Sequence, residues 1–151
     1  MKTLLLFIAT ALMGLCQSPL FAQCTQNDWA VYLGGTAYDY VEEVAVDISG
    51  NAIITGKTKS TSGVATPGAY HTKYGGGGAD AFVSKVDPAG TLLGSTYLGG
   101  KKLDYAYANT VDLNGNIYIG GRAESTSGMT TTGSHQPVYG GGPNDGFIAK
   151  F

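Results

Sequence analysis

The chain has 151 residues, of which 13% are charged, with a formal net charge of −2 and 24 glycines. So mild an acidity leaves no basic footprint for nucleic acid and no polybasic patch for anionic lipid. Low charge with abundant glycine fits a chain of many tight turns, and the lack of a Gly-X-Y period excludes collagen.

Met1-Lys2-Thr3 supplies one positive charge, residues 4–15 are an apolar run, and Ser18-Pro19 and a small residue, Ala22, follow. That is the layout of a secretory signal peptide, too short to span a membrane as a helix. Residues 1–22 are therefore expected to be a cleaved leader, with secretion or display at the cell surface as the address. Losing Lys2 takes the charge from −2 to −3. Cys16 falls in the leader, so Cys24 is the single thiol of the mature chain and no internal disulfide can form. Gln23 makes Phe21-Ala22-Gln23-Cys24 a poor lipobox, which favours a free or intermolecular thiol over acylation. No later apolar run reaches spanning length, so no membrane span is expected.

Trp29-Ala30-Val31-Tyr32-Leu33 reads as a short opening strand closed by Gly34-Gly35. After a turn, residues 43–47 and 51–58 flank Asp47-Ile48-Ser49-Gly50, whose Asp and Gly suit the first and fourth positions of a type I turn; the pair reads as a hairpin. A polar loop rich in Ser, Thr and Gly covers residues 59–79. The next strand is 81–86. Asp87-Pro88-Ala89-Gly90 is a second such turn, with Pro at its favoured place, and it leads into 91–98, ended by Gly99-Gly100.

The plan then repeats. Tyr32-Leu33-Gly34-Gly35 returns as Tyr97-Leu98-Gly99-Gly100, an offset of 97 − 32 = 65 residues. The same offset carries Asp39 to Asp104, Asp47 to Asp112, Gly50-Asn51 to Gly115-Asn116 and Gly56 to Gly121. It also carries Ser60-Thr61-Ser62-Gly63 to Ser125-Thr126-Ser127-Gly128, Tyr74-Gly75-Gly76-Gly77 to Tyr139-Gly140-Gly141-Gly142, and Asp80, Phe82 and Lys85 to Asp145, Phe147 and Lys150. Without a gap, 25 of the 55 paired positions are identical. A fixed period of this kind signals an array of like supersecondary units. Strands 108–112, 116–123 and 147–151 fill the second unit, with a loop at 124–144. No stretch beyond the leader shows apolar residues at helical spacing, so the mature chain is expected to be all-β.

Each period holds four strands, the content of a β-propeller blade. Ile53-Ile54 and Phe82-Val83 are apolar on both faces, as expected where neighbouring blades cover each side. The predicted organisation is a leader (1–22), an opening strand plus first blade (23–98) and a second blade (99–151): two four-stranded repeats of an incomplete propeller.

The run Tyr-Leu-Gly-Gly, then Val-Asp-x-x-Gly-Asn, Gly-x-Thr-x-Ser, Tyr-Gly-Gly and Asp-Ala-Phe-Val-x-Lys resembles the SBBP-type β-propeller repeat of bacterial secreted and cell-surface proteins. The resemblance covers nearly all of the mature chain. It implies propeller blades and an extracellular address, and offers no shared catalytic residues. The second copy departs from it at Gly120, Ala123 and Thr132, where the first has Thr55, Thr58 and Pro67. Two blades alone leave apolar sheet faces wet. The opening fourth-type strand and the closing third-type strand suit either a homo-oligomer sharing strands or a fragment with further blades downstream, the abrupt end at Lys150-Phe151 favouring the fragment.

No residue stands out as catalytic, cofactor-binding or metal-ligating. Asp47, Asp87 and Asp112 lack the alternating oxygens and distal Glu of a calcium loop and suit turn formation. Asp39, Asp104, Asp80 and Asp145 suit backbone capping, with Asp39 and Asp104 the weak nominees for an enzyme. Glu42 and Glu43 are adjacent in a strand and point apart. His71 and His135 do not correspond under the offset, and Cys24 has no His nearby in sequence. The glycine runs 75–78 and 140–142 lack the Lys-Ser/Thr ending of a phosphate loop. Ten tyrosines and Trp29 suit cross-strand packing, with a glycan platform as the alternative. The expected role is non-enzymatic binding or scaffolding, toward a protein or glycan met by the loops 59–79 and 124–144. Part of a propeller hydrolase or lyase is the rival, and a remnant without independent function the third reading.

Overall fold

The computed structural model describes residues 28–151; the leader read at 1–22 and Cys24 lie outside them. Within that span the protein is all-β, with seven strands in two sheets. β1 (Asp39–Val46), β2 (Ala52–Thr58), β3 (Asp80–Val86) and β4 (Leu92–Leu98) form the first, in the order β1-β2-β3-β4. β5 (Asp104–Val111), β6 (Ile117–Ala123) and β7 (Asp145–Lys150) form the second, in the order β5-β6-β7. All ladder neighbours are antiparallel, as the short turns between β1 and β2, β3 and β4, and β5 and β6 require; β2–β3 and β6–β7 are antiparallel too, although long loops join them.

The hairpin turns form through the residues that announce them. Asp47 Oδ1 accepts from Ser49 N and Asn51 N, both at 2.9 Å, and Oδ2 accepts from Asn51 Nδ2 at 2.8 Å. Asp112 repeats all three bonds with Asn114 and Asn116. Gly50 and Gly115 close these turns at φ +80° and +83°, where a side chain would be strained.

β1 and β5 start four residues earlier than the sequence suggests, at Asp39 and Asp104. Register shifts between Val41 and Glu43, and between Ala106 and Ala108, explain the difference. Such a bulge breaks the two-residue alternation from which a strand is read.

The sheets stack face to face. Ile53, Ala81, Val83 and Leu98 of the first meet Ala106 and Ile119 of the second, with Met129, Phe147 and Phe151 packed alongside. The opposite face of the first sheet presents Ile54, Phe82, Val86 and Tyr97 to Val64 and Leu33. Consecutive apolar residues in β2 and β3 thus serve two cores, each buried Leu or Ile contributing about 2 kcal/mol. Asn109 of β5 fastens the stack from the side. Its Nδ2 donates to Thr55 Oγ1 at 3.0 Å and to the Glu43 carbonyl at 3.2 Å.

The opening segment departs from expectation. Residues 29–33 join no ladder among the described residues and lie instead against the first sheet. Trp29 Nε1 donates to the Pro88 carbonyl at 3.0 Å, and Leu33 enters the Ile54–Phe82 core. Among the described residues the first sheet has its four strands and the second three, so β7 is an edge where β3 is an interior strand.

Candidate functional site

The repeated Gly-Gly, Asp and Ser motifs converge where one sheet hands the chain to the next. Asp104, at the start of β5, is fully buried; its Oδ2 accepts from Gly100 N at 2.9 Å and from Ser125 Oγ at 2.6 Å. Its Oδ1 accepts from the backbone N–H groups of Glu124 and Ser125. Asp39 does the same one repeat earlier, bound by Gly35 N, Ser60 Oγ and Thr58 Oγ1. Gly100 has to be glycine, since a Cβ there would run into the Ser127 carbonyl; Gly35 meets Ser62 in the same way. The two Asp residues nominated for an enzyme are thus held by backbone and hydroxyl donors at a joint of the fold.

Asp80 and Asp145 open β3 and β7, each accepting from a glycine N–H, Gly75 at 2.6 Å and Gly140 at 2.5 Å. Asp80 is fully buried with Gly99 packed against its carboxyl, and its Oδ1 has no partner among the described residues. Burial pushes its carboxyl up to about 7, with the Asp104 charge adding to the rise and the Gly75 bond opposing it. At the turns the sign reverses. Asn51 and then Lys85, whose Nζ lies 2.8 Å from Oδ2, hold Asp47 well below the usual carboxylate range. Asn116 lowers Asp112 likewise. Among the described residues no three His, Cys, Asp or Glu side chains converge as metal ligands.

The long loop 59–79 is a clamp on the outer edge of β4. Thr66 N donates to the Ser95 carbonyl at 2.9 Å, and Ser95 N returns a bond to Thr66 Oγ1 at 3.1 Å. His71 N donates to Thr96 Oγ1 at 2.8 Å, and the His71 carbonyl accepts from Tyr97 N at 3.2 Å. Loop 124–144 has the same build but, among the described residues, no fourth strand beneath it; between it and β7 lies a cavity of about 530 Å³ lined by Leu98, Ser125, Met129, Tyr139, Phe147 and Phe151. His135 also lines it.

At the end of the sheets that carries these loops, tyrosines sit against cations. Tyr40 pairs across the ladder with Lys57, and Tyr105 with Arg122. Lys57 Nζ lies 5.0 Å from the Tyr40 ring centre and 4.4 Å from that of Tyr105; Arg122 Cζ is 4.8 Å from Tyr105. Tyr107 meets Tyr105 edge-on, and Lys59 stands 6.0 Å over Tyr38. Glu42, 3.1 Å from Lys57 Nζ, raises that lysine's pKa. Tyr38, Tyr40 and Tyr107 are exposed. Tyr97, by contrast, is core: its hydroxyl donates to the Ser60 carbonyl at 2.9 Å, and Tyr74 packs edge-on against its ring. The surface tyrosines escape a reading by composition. Their signal is that the 65-residue offset keeps a Tyr at 40 and 105 and a cation at 57 and 122.

Residues 28–63 match the family model described as SBBP, beta-propeller repeat. That match spans the opening segment, the first hairpin and the Asp39–Ser60 joint. Comparison with curated proteins returns no match. Among the described residues no helix is long and apolar enough to cross a membrane.

Proposed function

Because this chain carries an SBBP-type β-propeller repeat, we propose that it works as a secreted or cell-surface binding and scaffolding module and performs no catalysis. The observation that carries the reading is the row of cation-backed tyrosines, Tyr40 with Lys57 and Tyr105 with Arg122. Flat, half-exposed rings on rigid strands lose little freedom on contact, and they suit a sugar face or an aromatic side chain of a protein partner. Loops and strand ends displayed on a stiff frame are the usual seat of recognition. Asp39 and Asp104 support the non-catalytic reading, since their oxygens are occupied by structural donors. The apolar N-terminal run supports export.

Binding of the mature chain to arrayed glycans and to immobilised cell-surface protein fractions tests the first part. Saturable binding that falls at least tenfold in the Tyr40→Ala/Tyr105→Ala variant, with unchanged circular dichroism, is the expected result. A chain inert toward both classes overturns it. Export is checked by fractionating expressing cells and weighing the product, which should begin at Gln23.

A further inference from the structure

We propose that the cavity between loop 124–144 and β7 is the seat of residues 29–33 from a second copy of this chain. The proposal goes beyond the reading above and uses none of its tyrosines.

Three observations meet here. The first is that β7, among the described residues, offers a free edge with exposed Ile148 beside the 530 Å³ cavity, whereas the corresponding edge of β3 is filled by β4. The second is that residues 29–33 have the sequence character of β4 and already hold β4's place relative to the sheet that follows. Leu33 enters the Ile54–Phe82 core of the first sheet as Leu98 enters the Ile119–Phe147 core of the second. Gly35 packs on Ser60 and Ser62 as Gly100 packs on Ser125 and Ser127. What β4 has and this segment lacks is a third-strand partner. The third is Tyr32, fully exposed, although its counterpart Tyr97 is 1% exposed with its hydroxyl bonded to Ser60.

Within one chain the segment and the free edge stand at opposite ends of the stack. Residues 29–33 lie on the far face of the first sheet, and β7 is in the second. A neighbouring copy brings them together by strand addition, in which main-chain bonds give affinity and side-chain pockets give register. The β3–β4 register, carried through the 65-residue offset, fixes the pairing: Leu33 opposite Gly146, Tyr32 opposite Phe147, Val31 opposite Ile148. Tyr32 then fills the cavity beside Phe147 and Tyr139, with its hydroxyl directed at the Ser125 carbonyl. Thr131 and Gln136 take the clamping places of Thr66 and His71. The contact is head-to-tail, which yields a ring when the rotation per copy closes and an open filament when it does not; with two sheets per copy, closure at about two to four copies would give the four to eight blades of known propellers.

The test is solution mass by light scattering, together with cysteine cross-linking, on the mature chain with Cys24→Ser. Val31→Cys and Ile148→Cys in one chain should form a disulfide between copies, and Val31→Cys with Lys85→Cys should not. The mass should be a multiple of one chain and fall to a single chain in Tyr32→Ala. Because Tyr32 touches solvent in the monomer, that variant keeps its circular dichroism. A monodisperse single chain at about 100 µM with no cross-link overturns the proposal and leaves the edge to a strand of another protein or to further blades. An oligomer whose mass is indifferent to Tyr32→Ala overturns it as well.

Discussion

The two sheets are written with nearly the same motifs yet differ in what they bury. Phe82 is 2% exposed and packs between Ile54 and Tyr97, while its counterpart Phe147 is only partly buried at the rim of a cavity. Asp80 is sealed; Asp145, making the same bond to a glycine, is not. The first sheet has a neighbour beyond β3, a clamped β4, and a following sheet over one face. The second has neither a strand beyond β7 nor a sheet after it among the described residues. Side-chain environment in a repeat is thus set by position in the array as much as by the residue itself, as nearest-neighbour energetics of stacked units demands.

Paired substitutions sharpen that contrast. Leu98→Ala removes the side chain buried between the two sheets and should cost about 4 kcal/mol, against about 2 kcal/mol for Leu33→Ala at the thinner outer layer; denaturant unfolding of both variants checks the order. Next comes Asp104→Ala, which strands the buried donors of Gly100 and Ser125 at a cost of about 3 kcal/mol, while Asp145→Ala should cost about 1 kcal/mol. Equal losses at these two positions would mean that the sheets are equally supported.

The pH response follows from Asp80. Its folded pKa is raised above the unfolded value, so its contribution is fully present below about 4 and is lost as pH rises through about 7. Wild type should therefore lose melting temperature relative to Asp80→Asn, by roughly a few degrees between pH 5 and 8. The comparison with the variant is needed because His71, lowered by burial, pulls the other way as its own site neutralises. Asp47 and Asp112, lowered in the fold, act at the acid end, where stability falls as they take up protons. Asn109→Ala should cost only about 1 kcal/mol, since it removes one side fastening between sheets. Its counterpart in the first repeat is Val44, exposed, and Val44→Ala should be nearly silent in the same melt.

What was legible in the chain was whatever neighbouring residues decide among themselves. Asp47-x-x-Gly50 builds its turn from its own backbone, so hairpins and their repetition are readable without a partner. The two-faced apolar runs in β2 and β3 announced a stacked sheet, and the 65-residue offset announced two of them. The early start of β1 was hidden because a bulge shifts the alternation, and Asp39 with Glu42 and Glu43 looks polar enough for a loop. The site was less legible. Loop 59–79 reads as a free contact surface from its Ser, Thr and Gly content, yet Thr66 and His71 spend their main-chain groups on β4 across about 25 residues or more of sequence.

By itself the sequence determined an all-β chain, its period and its turns, because those rest on local hydrogen bonds and on φ values open to glycine, whereas the Asp39–Ser60 and Asp104–Ser125 joints are closed across 21 residues by the tertiary structure. Only the tertiary structure decided that residues 29–33 lie on a sheet face without a ladder, that Tyr32 is bare while Tyr97 is buried, and that a cavity flanks β7. Pairing between distant segments depends on which edge is within reach, and that is a property of the stacked sheets, not of any one stretch of chain.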